Sequence, residues 1–219
     1  MDQFTREVDE EYRRAQMAAL WKRFGPLVVG VLVVVVVGVA GYTWWEARER
    51  QRAEQASLAL YEASSLVEQG RGDEARALLS GLAEDAPGAA GVLARLRLAA
   101  LAAQTDTAAG VAAYEAIASD AAAPGVLRDL ARLRAALLQV DSAPDAALPV
   151  LQSLAAGEGA FRHTAREQLG LAALRRGDYD AAGEWFDRVA VDPQTPGALR
   201  QRLAVYSALV AAGPLGAAN

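Results

Sequence analysis

Side chains able to do chemistry are few in this chain of 219 residues, which has no cysteine and one histidine, His163. A cysteine nucleophile, a disulfide framework and a Cys/His zinc site are excluded, and a serine–histidine pair would have to use His163. No Gly-x-Ser-x-Gly, Walker A or Rossmann glycine pattern occurs. His163 stands at the start of a helical stretch and reads as a surface residue, since a general base needs a partner that tunes its pKa. Asp178, Asp180, Glu184 and Asp187 form a carboxylate run. Helical spacing spreads them over a solvated face, Asp178 suits a helix N-cap, and hard-cation loops alternate their ligands more tightly. Neither catalysis nor a metal or cofactor site is expected.

Arginine is the remaining candidate, with 21 arginines to one lysine. Arg95 and Arg97, within Leu93–Leu101, recur as Arg132 and Arg134 within Leu130–Leu138, 37 residues later. Arg166 extends the series, and Arg200 and Arg202 follow. Stacked units would align them into a row, and guanidinium binds carboxylates bidentately, so Arg95, Arg97, Arg132, Arg134 and Arg166 are candidate partner-binding residues. The opposing reading pairs them with the 19 acidic residues after position 55.

The elements that must position these arginines are helical. Alanine supplies 51 residues, aromatics are 6% and hydrophobic residues 53%. Alanine has the highest helix propensity and allows close helix approach, whereas sheets favour β-branched and aromatic residues. Net charge is -5, which disfavours nonspecific nucleic-acid binding. After Ala47 the pattern is helix, turn, helix. Arg71-Gly72-Asp73 recurs as Arg176-Gly177-Asp178, and degenerate turns lie near Thr105 and Ser142, giving spacings of 33, 37 and 35 residues. Periods near 34 mark a repeat of helix pairs. Four units are expected, with first helices near 50–69, 88–103, 125–140 and 160–175. Second helices are expected near 73–86, 107–121, 145–156 and 178–190, and a capping helix near 197–212. Pro149 should make the helix near 145–156 start late or kink.

Before the array, Gly25 to Trp45 carries no charged residue. Twenty-one helical residues span roughly 32 Å, enough for a hydrocarbon core. Pro26 suits the first helical turn, and Trp21 and Tyr42, Trp44 and Trp45 suit the two interfaces. Five basic residues precede the span against three after it, which puts the N-terminus in the cytoplasm. A cleaved signal peptide is the rival, but the run is long and five acidic residues precede it. Residues 1–24 are read either as an amphipathic surface helix or as a solvated extension. The expected division is 1–24 cytoplasmic, 25–45 transmembrane and 46–219 periplasmic.

The fourth unit, Ala165 to Pro193, resembles the tetratricopeptide motif. Leu169-Gly170 matches its leucine–glycine pair, Gly177-Asp178-Tyr179 the turn, Ala182 the small crossing residue, Phe186 the large apolar residue and Pro193 the terminator. The resemblance implies an all-α fold, in which one transmembrane helix precedes a right-handed helical solenoid. The layout also resembles the YfgM-type ancillary subunits of the bacterial Sec translocon. That resemblance implies an inner-membrane protein with a periplasmic repeat domain, associated with SecYEG and the chaperone PpiD and receiving translocated polypeptides. A scaffold for another envelope complex shares the same fold.

Overall fold

The computed structural model describes the backbone of residues 2–86 and 88–213, and in the first helix the side chains of Lys22, residues 30–32 and residues from 34 onward. Nine α-helices and no strand occur among the described residues. The chain divides into two compact units, Met1–Gln55 and Ala56–Asn219.

The first unit consists of the N-terminal part of α1, which runs Asp2–Glu68. It carries the one stretch among the described residues that is long and apolar enough to cross a membrane. Val31, Leu32, Val34, Val35, Val36, Val37 and Val39 are all exposed. The span read at 25–45 and the array helix read near 50–69 lie on one helix, which continues through residues 46–49. Residues 46–55 contain no glycine or proline, and strong helix formers carry the helix through them. An i,i+4 pair of Glu46 with Arg50 at 2.5 Å adds support there. Pro26 correspondingly lies inside α1, not in a first turn as expected, because the helix begins at Asp2. An interior proline forfeits one backbone hydrogen bond, which helices of this apolar kind tolerate.

In the second unit the last turns of α1 are followed by α2 (Gly72–Asp85), α3 (Ala89–Thr105), α4 (Thr107–Ser119), α5 (Gly125–Gln139), α6 (Pro144–Ala156), α7 (Arg162–Arg175), α8 (Tyr179–Ala190) and α9 (Gly197–Ala212). Each helix from α2 onward packs on the next, and α3 also reaches α5. The apolar interior is correspondingly a chain of four clusters. The first joins Ala63 and Leu66 to Leu79 and Leu101. The second centres on Leu96, Tyr114 and Ile117, the third on Leu133, Leu151 and Leu169, and the fourth on Phe186, Val189 and Leu203. Each unit buries its apolar face only against neighbours, as a helical-repeat solenoid must.

Small residues set the helix spacing. Ala75, Ala94, Ala131, Ala147, Ala165 and Ala182 are fully buried, which explains the alanine content of the array. A Cβ on Gly170 would overlap the Phe186 ring, and one on Gly110 would overlap Ala103. The glycine matched to the leucine–glycine pair of the motif is thus the floor on which Phe186 rests. Pro149 does not delay α6. The helix starts with Pro144 in its first turn, where a missing N–H costs little, and continues through Pro149.

Candidate functional site

The five candidate arginines separate into two sets with different work. Arg95, Arg132 and Arg166 occupy equivalent places on α3, α5 and α7, each following a fully buried alanine (Ala94, Ala131 and Ala165). Arg95 Nη2 donates to Asp120 Oδ2 at 2.7 Å, just past the end of α4. Arg166 Nη1 reaches Asp192 Oδ2 at 3.3 Å, just past the end of α8, and its Nε donates to the Ala155 carbonyl at 3.0 Å. Arg162 joins the same carboxylate, Nε to Oδ2 at 3.0 Å. Both acids thus brace the first helix of a unit against the end of its second. Arg132 makes no such ion pair, although Glu158 stands two residues past the end of α6 as Asp192 does past α8, and it pairs locally with Asp129 at 3.5 Å. Bonds from Arg95, and secondarily from the Ala122 N–H, hold the Asp120 carboxyl below the usual range. Arg162, and then the Gln194 N–H, hold Asp192 down at about 2.

The two braced loops share one backbone design. Asp120-Ala-Ala-Ala-Pro124-Gly125-Val-Leu-Arg128 and Asp192-Pro-Gln-Thr-Pro196-Gly197-Ala-Leu-Arg200 are 72 residues apart. In each, the aspartate side chain accepts from the N–H two residues on, at 2.9 and 3.0 Å. Pro124 and Pro196 precede α5 and α9 with nearly the same dihedrals, φ -53 ψ 137 and φ -58 ψ 140. Sequence reasoning missed this element, though the recurring Asp-x-x-x-Pro-Gly-x-Leu-Arg would have disclosed it.

The fourth unit fills its braced loop with polar groups. His163 is the second residue of α7 yet is buried, against the surface position expected of it. Thr195 Oγ1 donates to the Val189 carbonyl at 2.6 Å and lies 3.3 Å from His163 Nδ1. With its one proton committed to Val189, Oγ1 accepts, so Nδ1 carries the imidazole proton. Nε2 then faces Asp192 Oδ2 at 3.7 Å without a hydrogen bond. Burial, followed by Arg162, lowers the His163 pKa. In the second unit Val92 and Ala123 belong to one apolar cluster at the matching places. The remaining carboxylates are structural or solvated: Asp178 Oδ1 caps α8 at Ala181 N, while Asp180, Glu184 and Asp187 are exposed. Glu167, buried on α7, is held by Arg202 at 2.8 and 3.0 Å. Among the described residues no group of three His, Asp or Glu could hold a metal ion.

Arg97 and Arg134 form the other set. They line two adjoining clefts of about 210 and 280 Å³ that share Ala100 and Gln104. The end of α1 supplies Ser64, Val67 and Glu68 to the first cleft, and α4 and α5 supply Tyr114, Leu137 and Leu138 to the second. Arg97 donates to Ser64 Oγ at 2.9 Å. Neither arginine has an ion-pair partner among the described residues. Burial raises the Tyr114 pKa, only partly offset by Arg134 nearby, so the hydroxyl is a donor at neutral pH. The groove therefore offers an apolar floor with hydroxyl, amide and two guanidinium donors, a set suited to backbone carbonyls and carboxylates, with the Glu68 carboxylate at the α1 side of the first cleft.

A family model described as a tetratricopeptide repeat-like domain matches residues 18–205. Comparison with curated proteins and with solved structures gives no match.

Proposed function

The chain belongs to the tetratricopeptide repeat-like domain family, and from that premise we propose that it is a membrane-anchored protein-interaction module. Its site is the groove of Arg97 and Arg134, which takes extended or helical segments of partner polypeptides bearing carboxylates. The observation that carries this reading is that these two arginines stand at equivalent repeat positions over largely apolar clefts and make no ion pair among the described residues, although Glu68 lines the first cleft. Arg95, Arg132 and Arg166, first grouped with them, act on this reading mainly by holding the array in shape.

The partners proposed are those that the resemblance of the layout to the YfgM-type subunits implies. The N-terminal span anchors the chain in the inner membrane with residues 1–24 in the cytoplasm, 25–45 in the bilayer and 46–219 in the periplasm. There it serves as an ancillary subunit of SecYEG that receives translocated chains and passes them to a PpiD-like chaperone. Anchoring raises local concentration, so a shallow groove suffices without high affinity. The support is the apolar stretch of α1, its flanking basic residues and the repeat domain that follows. Catalysis has no part in it.

Photocrosslinking tests this reading. A crosslinking residue at Gln104, in the full chain in its native membrane, should capture SecYEG subunits, a PpiD-like chaperone or emerging secreted chains. Capture of an unrelated envelope assembly alone would replace the translocon reading with that of a scaffold. A reporter fused at the C-terminus should be active only on the periplasmic side, and cytoplasmic activity would reverse the orientation.

A further inference from the structure

The helix α9 has two apolar faces, and the array uses one. Leu199 and Leu203 are buried, with Tyr206 and Val210 half-buried beside them, and Tyr206 stacks on Phe186 at 5.2 Å between ring centroids. The opposite side carries Ala204, Val205, Ala208, Leu209 and Ala212 at spacings of three and four, all exposed. Val205 is 60% exposed and Leu209 50%. An array's terminal helix ordinarily turns a polar face outward, and a helix that is apolar on all sides is ordinarily covered.

The repeat phase says what kind of element covers it. α9 follows the Asp-x-x-x-Pro-Gly turn that also introduces α5, so it stands where a unit's first helix stands. α5 packs between α4 and α6, whereas α9 has α8 as its main neighbour. Among the described residues no helix packs on α9 in the role that α6 has beside α5.

We propose that a second copy of this chain supplies such a helix, with the two α9 helices packed antiparallel about a twofold axis. The charge pattern favours this occupant. No acidic residue occurs on α9, and no charge of either sign lies between Leu203 and Ala212, so two copies meet without repulsion. Its last turn has no basic residue, and the Gly213 N–H satisfies only the Val210 carbonyl. At the other end, Arg200 is exposed and makes no ion pair among the described residues. Antiparallel pairing sets Arg200 of each copy beside the carbonyl end of the other, where a cation is stabilising. Alanines at three of the five stripe positions let the axes approach closely. A self-complementary patch closes as a dimer where a head-to-tail contact would propagate.

The absence of cysteine makes the test clean. The full chain in detergent, carrying Ala208→Cys as its one thiol, should give a crosslinked dimer with a short bismaleimide. Asp187→Cys, exposed on α8, should give none. Val205→Glu and Leu209→Glu alter exposed side chains only, so each should abolish the Ala208→Cys crosslink with an unchanged melting curve. Absence of the crosslink at position 208, or its persistence in both glutamate variants, would overturn the proposal. A dimer formed through α1 alone, or a stripe covered by residues 214–219 or by a different protein, would show itself in that way.

Discussion

Two sets of arginines, two residues apart where they share α3 and α5, behave oppositely. Arg95 and Arg166 bind carboxylates of their own unit, whereas Arg97 and Arg134, two residues beyond Arg95 on α3 and Arg132 on α5, line largely apolar clefts and make no ion pair among the described residues. A two-residue step on a helix turns the side chain by roughly 200°, so one set faces the end of the second helix and the other the groove. The difference teaches that one residue type at neighbouring positions of a repeat can brace the fold in one direction and stay unpaired in another. What separates Arg95 from Arg97 is the direction each side chain takes, since only Arg95 reaches Asp120 past the end of α4. Arg132 shows the intermediate case, a brace position that pairs with Asp129 on its own helix and not with an acid past the following one.

The largest effect should come from removing the doubly held acid. Asp192→Ala leaves Arg162 and Arg166, both mostly buried, without their carboxylate, and loss of one partner of such a pair is strongly destabilising. Its fall in Tm should be about twice that of Asp120→Ala, which releases a single arginine. An equal fall would break the comparison between the two loops. Because the Asp192 pKa lies at about 2, below the unfolded value of about 3.9, its contribution is complete above that unfolded value. It is lost as pH falls through the folded value, and the acid limb of the melting profile should flatten in Asp192→Ala.

A smaller effect sharpens the contrast between the loops. Thr195→Ala removes the bond to the Val189 carbonyl and should cost about 1 kcal/mol in denaturant unfolding. Adding His163→Val recreates the Val92 and Ala123 arrangement and should restore most of that loss. If the double variant is as weak as the sum of the two singles, the loops are not interchangeable. His163 itself should give the wild type a pH dependence. Its folded pKa is lowered, so the unfolded chain binds the extra proton, and stability should fall as pH drops below about 6.5. His163→Val should remove that slope, which can be assigned to this residue because the chain has no other histidine.

The smallest effect on stability belongs to the groove. Arg97→Ala and Arg134→Ala alter side chains without ion pairs and should shift unfolding by less than about 0.5 kcal/mol.

Periodicity carried most of the array. The 37-residue echo at Leu93 and Leu130 places Ala94 with Ala131 and Leu96 with Leu133, and all four are buried. The motif matched Gly170 and Phe186 separately, and the structure brings them together, since a Cβ on Gly170 would overlap the ring. The continuity of α1 was not legible, since a membrane span and an array helix differ in composition and nothing between them marks the join. The burial of His163 escaped for another reason. A helix-start residue is covered by a loop that arrives thirty residues later, and no local pattern announces Thr195. The arginines were legible as a row but not as two jobs, because the acids that divide them lie on other helices.

The central claim is that Arg97 and Arg134 bind partner chains while the brace arginines hold the fold. The most direct test measures photocrosslinking yield from Gln104 in native membranes, in the wild type and in the Arg97→Ala/Arg134→Ala double variant, alongside the melting curve of each. Loss of capture by about tenfold with unchanged melting is the predicted result. Undiminished capture in the folded double variant would contradict the account.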